Sequence, residues 1–131
     1  MKKFLFIILC IVLFNGVILS SCTHAKTVPY QLSLIAPIQT SSTLDSVKGI
    51  RYNFISGTNN NVSGFDFGLF NIVDGNQTGL QIGIYNSSFK TSGLQIGFIN
   101  KTEYLNGLQI GILNFHTEGN WRLLPIVNFS F

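Results

Sequence analysis

The sequence predicts an all-β fold built as a short array of repeated units, and two observations support that prediction. An eight-residue motif, Gly-Leu-Gln-Ile-Gly followed by two apolar residues and Asn, begins at Gly79, Gly93 and Gly107. Diverged copies begin at Gly64 and Gly49, so successive starts lie 14 or 15 residues apart. In every copy, called an octad below, the second, fourth and sixth residues are apolar. This period of two is typical of a β-strand with one buried face.

The same period predicts the residues of the core. We expect the apolar second, fourth and sixth residues of the three closest octads to point inward. The other strand face then carries glutamines, predicted to form a flat amide ladder that is structural first and a possible contact face second. Glycines are expected where a narrow coil bends or two backbones approach closely. The predicted core is Leu80, Ile82, Ile84, Leu94, Ile96, Phe98, Leu108, Ile110 and Ile112; the ladder is Gln81, Gln95 and Gln109; the repeat glycines are Gly64, Gly68, Gly79, Gly83, Gly93, Gly97, Gly107 and Gly111.

Two β architectures fit this repeat. In a β-solenoid each repeat forms one coil, and identical residues stack about 4.8 Å apart. In an antiparallel meander or small barrel each octad is one strand and each linker is a hairpin loop. The linkers are 7, 7, 6 and 6 residues long, whereas hairpin loops usually have two to five residues. Linker length and the near identity of three octads therefore favour the solenoid.

The two ends of the repeat domain, residues 30–131, differ from its middle. Residues 30–39 alternate and predict a first strand, and the Ser- and Thr-rich residues 40–48 predict a loop. Residues 122–131 predict a last strand, and Pro125 within it indicates an edge position. Both end segments suit the caps that a repeat array requires. Asn53 replaces Gly in the first octad, which puts that octad in doubt as a full repeat.

The N-terminus has the features of an export signal. Lys2 and Lys3 precede an apolar run over residues 4–19, shorter than the roughly 20 residues of a bilayer span. The run ends in Leu-Ser-Ser-Cys, which looks like a bacterial lipobox. That likeness implies cleavage after residue 21, acylation of Cys22 and a short tether over residues 22–29. The alternative is an uncleaved N-terminal helix.

The remaining residues offer little chemistry. The net charge is only +3 and 10% of residues are charged, which argues against a nucleic-acid-binding protein. His24 and His116 have no Cys, Asp or Glu at ligand spacing, and neither a nucleophile elbow nor a phosphate-binding loop is present. We therefore expect no catalytic residues, metal or cofactor. Trp121 is expected to pack at the end of the array, with contact to a ligand as the alternative.

The octads, the lipobox and the closing Pro-Ile-Val-Asn-Phe-Ser-Phe together resemble a family of bacterial surface repeat-containing proteins, common in spirochaetes and often lipoproteins. The likeness covers residues 30–131. It implies a repeat fold and a place in the bacterial envelope, at the outer membrane or cell surface, but no particular ligand. The expected function is that of a lipid-anchored surface protein with a structural role or a role in contacting a ligand or host. The alternative is a membrane-inserted small barrel or pore component.

Overall fold

The computed structural model describes residues 25–120 and 122–131, so the predictions for the leader, Cys22, His24 and Trp121 lie outside the described residues. Every regular element in the described part is a β-strand. The strands are β1 (Thr27–Ile35), β2 (Ile38–Gln39), β3 (Ser46–Asn59), β4 (Val62–Ile82), β5 (Tyr85–Ile96), β6 (Ile99–His116) and β7 (Leu123–Ser130).

The strands form one sheet that winds into a solenoid of about five turns. The order is β2-β1-β3-β4-β5-β6-β7, and every pairing from β1 through β6 is parallel except the short β1–β2 hairpin. Strand β4 has 21 residues, more than one repeat, so its end lies one coil above its beginning. Parallel pairing confirms the predicted solenoid and rejects the meander or barrel, in which neighbouring strands would run in opposite directions.

The register between coils follows the sequence repeat. Gly49 pairs with Gly64, and Gly79 pairs with Gly93, which pairs with Gly107. The octad starts therefore stack in one column. The strands also continue from the octads into the linkers, which form the rest of each coil. The octad at Gly49 is a full coil despite its Asn53.

Antiparallel strands cover both ends of the stack. Strand β2 folds back on β1, and β7 runs antiparallel to β6 with Pro125 at the sheet edge. Strand β1 begins at Thr27, which pairs with Ser46, so the predicted tether over residues 22–29 is too long at its C-terminal end. The loop between β2 and β3 is held by Asp45, whose carboxylate accepts hydrogen bonds from the backbone N–H groups of Lys26 and Ser42, each at 3.0 Å.

The predicted core is wrong, because the apolar face of each octad points outward and the face with glycine and glutamine points inward. None of the nine apolar residues assigned to the core (Leu80, Ile82, Ile84, Leu94, Ile96, Phe98, Leu108, Ile110 and Ile112) is buried, whereas Gln81, Gln95 and Gln109 are completely buried. A period of two determines which residues share a face but not which face is inside. The glycines show which face it is. They occupy the same strand face as the glutamines, and the interior of a narrow coil has no space for larger side chains there.

The apolar core is correspondingly small and lies beneath the linkers. Val47, Val62 and Val73 pack together with the partly buried Val28, and Leu105 is buried in a later coil. Val47 pairs with Val62 across β3 and β4, so this cluster is itself part of a column. The rest of the interior consists of polar side chains.

The first glycine of each octad permits the tight stacking of coils. Gly93 has φ = +135°, and a Cβ atom there would lie 2.2 Å from the backbone oxygen of Gly79. The other four octads repeat this arrangement, with φ between +109° and +151°. An L-residue would therefore be strained both by its backbone conformation and by overlap with the preceding coil.

We predict that Gly93→Ala destabilises the protein by about 3 kcal/mol or more, because the methyl group forces two coils apart and the residue keeps a positive φ. The neighbouring Ser92→Ala is the control and should change stability by less than about 0.5 kcal/mol. Urea unfolding measures both values. Equal stabilities of the two variants would contradict the glycine column.

Candidate functional site

A continuous ladder of side chains occupies the third position of the octads. Gln109 Nε2 donates to Gln95 Oε1 at 2.8 Å, and Gln95 Nε2 donates to Gln81 Oε1 at 2.7 Å. Gln81 Nε2 then donates to Asp66 Oδ2 at 2.8 Å, and Asn128 Nδ2 of β7 donates to Gln109 Oε1 at 3.1 Å. The glutamines form the expected structural ladder, but they cannot provide the possible contact face, because the ladder lies inside the solenoid.

A second ladder uses the asparagine that closes each of the four later octads; the first octad ends in Ser56 instead. Asn71, Asn86 and Asn100 each donate through Nδ2 to the Oδ1 of the asparagine in the following coil, at 2.8–2.9 Å. The same amino groups also donate to the backbone oxygens of Ile82, Ile96 and Ile110. We had not predicted these asparagines to lie inside, although their recurrence at one octad position was the signal.

The first coil extends this second ladder although Asn and Gly have exchanged places in it. Asn53 lies opposite Gly68, and Gly57, the residue that follows the octad, lies opposite Asn71. In the later coils, glycine at the fifth position leaves room for the asparagine amide. Here Asn53 stands at the fifth position and donates to Asn71 Oδ1 at 2.7 Å. Gly57 leaves the space that its amide occupies, since a Cβ there would lie 1.9 Å from Asn53 Oδ1. The departure from the repeat pattern therefore preserves the ladder.

The two ladders donate in opposite directions, and Asp66 is where the glutamine ladder ends. Each glutamine donates towards the N-terminal coils, so the last residue in that direction must accept, and a carboxylate does so without a donor of its own to satisfy. Asp66 accepts from Gln81 above and from Arg51 below, through Nε at 2.7 Å and Nη2 at 2.6 Å. Asn53 Nδ2 supplies a fourth hydrogen bond at 3.1 Å. Both charged side chains are fully buried, and the guanidinium fork neutralises the carboxylate.

Arg51 has further partners beyond this ion pair. Its Nη1 donates to Asn59 Oδ1 at 3.0 Å and to the backbone oxygen of Ile72 at 3.1 Å. Asn59 in turn donates to Gln31 Oε1 at 2.7 Å, in the coil formed by β1. The charged residues thus connect the amide ladder to the N-terminal cap and are not free for catalysis.

His116 is the buried titratable ring of the C-terminal coil. The backbone N–H of Leu105 donates to His116 Nε2 at 3.2 Å. Nε2 must therefore be unprotonated, and the ring neutral. Burial lowers the pKa of His116 from its ordinary value, and the carboxylate of Glu118 opposes this shift to a lesser extent. The ring supports the end of the stack, and we see no reacting partner for it among residues 25–120 and 122–131.

The outer surface of the octads is the candidate functional site. Tyr30 and Leu32 of β1 pair with the second and fourth residues of the first octad, and Phe129 and Val127 of β7 pair with those of the last. We call this surface the octad face. It consists of the outward residues at the second and fourth positions of every octad, together with Tyr30 and Leu32 on β1 and Val127 and Phe129 on β7. All fourteen of its outward residues are apolar or aromatic. Eight of them are exposed, and the other six are half-buried: Phe67, Leu80, Ile82, Leu94, Ile96 and Leu108. Contiguous apolar surface of this kind often marks interaction sites.

Charge is excluded from the octad face. Within the described octads, the only charged residues are Arg51 and Asp66, and both lie inside. The exposed or half-exposed acids Asp74, Glu103 and Glu118 all lie in the linkers. The backbone N–H of Glu118 donates to the oxygen of Glu103, so these two residues occupy one column of a linker corner. The octad face is therefore free of charge, whereas the linkers carry charged residues together with exposed aromatic residues such as Phe89 and Tyr104.

The glutamine ladder makes a direct prediction about two buried glutamines. Gln95→Leu leaves Gln81 Oε1 without its donor and should cost about 2 kcal/mol. Gln77→Leu is the matched control. Gln77 is equally buried, but neither of its amide atoms has a hydrogen-bond partner in the described part of the chain. Its replacement should be neutral or stabilising, and urea unfolding compares the two. A greater loss for Gln77→Leu would contradict the role of the ladder.

The buried ion pair predicts a strong coupling between its two residues. Asp66→Gln alone leaves the Arg51 guanidinium buried without a carboxylate and should cost about 3 kcal/mol or more. Combining it with Arg51→Gln gives both octads the residue of the later coils and should recover most of that loss. A double-mutant cycle by denaturant unfolding measures the coupling. A double variant no more stable than Asp66→Gln would contradict it.

His116 predicts a specific loss of stability in mild acid. Because its pKa is lowered in the folded protein, the unfolded chain binds more protons below its own pKa of about 6.5. The contribution of His116 to the free energy of unfolding should be fully present above that pH. It should decrease as the pH falls from there towards the lower pKa of the folded state. His116→Gln keeps an acceptor for Leu105 and removes the titration, so the variant should lose less stability over the same interval. Parallel pH dependences in thermal unfolding would contradict the assignment.

No protein-family model, no curated protein and no solved structure matches this chain. Within residues 25–120 and 122–131, no three His, Cys, Asp or Glu side chains are grouped as metal ligands would be. The same part of the chain contains no helix long and apolar enough to cross a membrane. The octad face is consequently the feature of the described structure on which a functional proposal can be based.

Proposed function

We propose that this protein is a non-enzymatic contact module of the bacterial envelope, anchored by lipid at Cys22 and acting through its octad face. The observation that carries the proposal is the uniform apolar surface that extends from β1 to β7 without an exposed charge. A protein that acted only as a soluble spacer would have no need of such a surface. The rigid ladders inside hold its side chains in fixed rows.

The sequence supplies the support for anchoring. Lys2 and Lys3, the apolar residues 4–19 and the Leu-Ser-Ser-Cys tetrad are the three parts of a lipoprotein signal. Two or more acyl chains anchor a protein stably, whereas a single chain binds only marginally. Cys22 lies five residues before β1, so the proposed anchor holds the solenoid close to the membrane. The outer membrane or cell surface is the proposed location, as the resemblance to surface repeat proteins implies.

The contact role does not require a catalytic group. Arg51 and Asp66 are committed to the ladder, and the exposed acids are spread along the linkers. A structural role and a role in contacting a host or surface ligand both use the octad face in the same way. Capture of envelope or host-matrix components on the intact protein, compared with a variant of the octad face, tests the ligand-contact version.

The anchoring proposal predicts the fate of two cysteines. Cys22→Ala should abolish incorporation of labelled fatty acid and release the chain from the membrane fraction, because it removes the acylated sulfur. Cys10→Ala is the matched control, since Cys10 lies in the leader, and it should retain both the label and the membrane location. Metabolic labelling followed by fractionation measures this. Label that survives in Cys22→Ala would refute anchoring at this residue.

A further inference from the structure

We propose that the octad face lies directly on the lipid bilayer, so that the solenoid is held flat against the membrane by one whole side as well as by its anchor. The partner is the lipid surface itself. This inference rests on the proposed function for the position of the anchor, but the apolar surface on which it depends is observed independently. The proposal follows from the shape, size and charge pattern of the face.

The shape of the octad face suits a flat, structureless partner. Its side chains stand in seven rows, one from β1, five from the octads and one from β7. At about 4.8 Å per row the face is roughly 30 Å long, and two side chains per row make it about 12 Å wide. Residues at equivalent positions stand in straight rows, because their backbones are in register. Such rows of apolar side chains suit a partner that needs no specific polar contact.

The size of the face favours lipid over a second copy of the chain. Its flat footprint is about 350 Å². Stable protein interfaces bury about 800 Å² of solvent-accessible surface on each partner, which is considerably more. A bilayer needs no such minimum, because the acyl anchor already keeps the face near it. The five residues from Cys22 to Thr27 span at most about 18 Å. The octad face is thus kept within reach of the membrane, at a high effective concentration.

The charge pattern is compatible with this orientation. No charged side chain lies on the octad face. The exposed or half-exposed charges, acids and cations alike, lie elsewhere in the described chain: Asp74, Glu103, Glu118, Lys26, Lys48, Lys90, Lys101 and Arg122. Docking of the face at the lipid interface therefore buries no charge. Tyr30 and Tyr52, in the coils nearest the anchor, carry a hydroxyl group suited to the same interface.

The experiment places a fluorescent probe on and off the octad face of the lipidated, full-length protein. Phe65→Cys lies on the face, and Phe89→Cys lies in a linker. The two positions are matched, since Phe65 is 51% exposed and Phe89 48% exposed. Each also contacts one aromatic ring, Phe67 at 6.2 Å and Tyr104 at 5.3 Å between centroids. Under the proposed function Cys22 is acylated and Cys10 removed, so an NBD maleimide labels the introduced thiol alone.

The labelled proteins are reconstituted in phosphatidylcholine vesicles that carry a doxyl quencher on the acyl chains. We expect blue-shifted emission at residue 65 and quenching at least about twofold greater than at residue 89. A second pair, Ile50→Cys on the face and Leu44→Cys in the loop before β3, repeats the comparison should either phenylalanine variant fail to fold. Equal quenching within both pairs would overturn the proposal.

Two other outcomes are distinguishable. A blue shift on the octad face without quenching, growing with protein concentration, would show that a second copy covers the face and would overturn lipid docking. Fatty-acid incorporation at Cys22, measured on the same preparations, reports separately on the proposed anchor. If the protein is acylated but its octad face is not quenched, the anchoring proposal stands and the docking proposal is overturned. An unacylated protein keeps native thiols that the maleimide also labels, so the comparison is then repeated with Cys10→Ala and Cys22→Ala added. A face that is still quenched by vesicles in that background overturns the anchor and supports docking.

Discussion

Hydrogen bonds between side-chain amides in successive coils are the interaction on which the rest of this structure depends. An amide carries both a donor and an acceptor, so one residue type can bond to its own copy above and below without limit. Parallel coils in register place those copies at the spacing that such bonds require. The glutamine and asparagine ladders thereby satisfy a polar interior in which every unpaired group would be costly.

The direction of each ladder explains residues that otherwise look like exceptions. The glutamine ladder donates towards the N-terminus, and Asp66 ends it as an acceptor that has no donor of its own to satisfy. The buried carboxylate then needs a cation, which Arg51 provides from the coil below. The asparagine ladder donates the other way, so the dipoles of the two ladders oppose each other. Asn53 and Gly57 exchange roles so that this second ladder can extend into the first octad.

A polar interior also explains the surface. Because the amides and glycines take the inward positions, the period of two leaves the apolar residues outside, where they form the octad face. Outward Leu, Ile and Phe side chains still gain from packing along their columns, but much of their area is left uncovered. Apolar surface of this kind often marks interaction sites, and this is the basis of the proposed function.

Much of this fold could be predicted from the sequence, but its orientation could not. The spacing of Gly79, Gly93 and Gly107, together with linkers too long for hairpins and the near identity of three octads, favoured stacked parallel coils over a meander or barrel. Hydrophobicity then assigned Leu94 and Ile96 to the interior, because burial of apolar area is ordinarily the main driving force for folding. Here the orientation is set instead by hydrogen bonds between copies of the same amide, which form only once the coils have stacked. Gln95 is two residues from both Gly93 and Gly97 and therefore lies on the same strand face as these glycines. Because glycines where coils pack closely lie inside, this spacing indicated that Gln95 is buried.

Hydrogen exchange of the side-chain NH₂ groups, followed by NMR on the isotope-labelled protein, tests the central claim most directly. We predict that the amide protons of Gln81, Gln95 and Gln109, and of Asn86 and Asn100, exchange only when the solenoid opens. Their protection should approach that of the backbone amides of the same coils. The exposed side chain of Asn106 provides an internal reference for free exchange. Ladder amides that exchange as fast as Asn106 would place them at the surface and would contradict a fold held together by buried amide ladders.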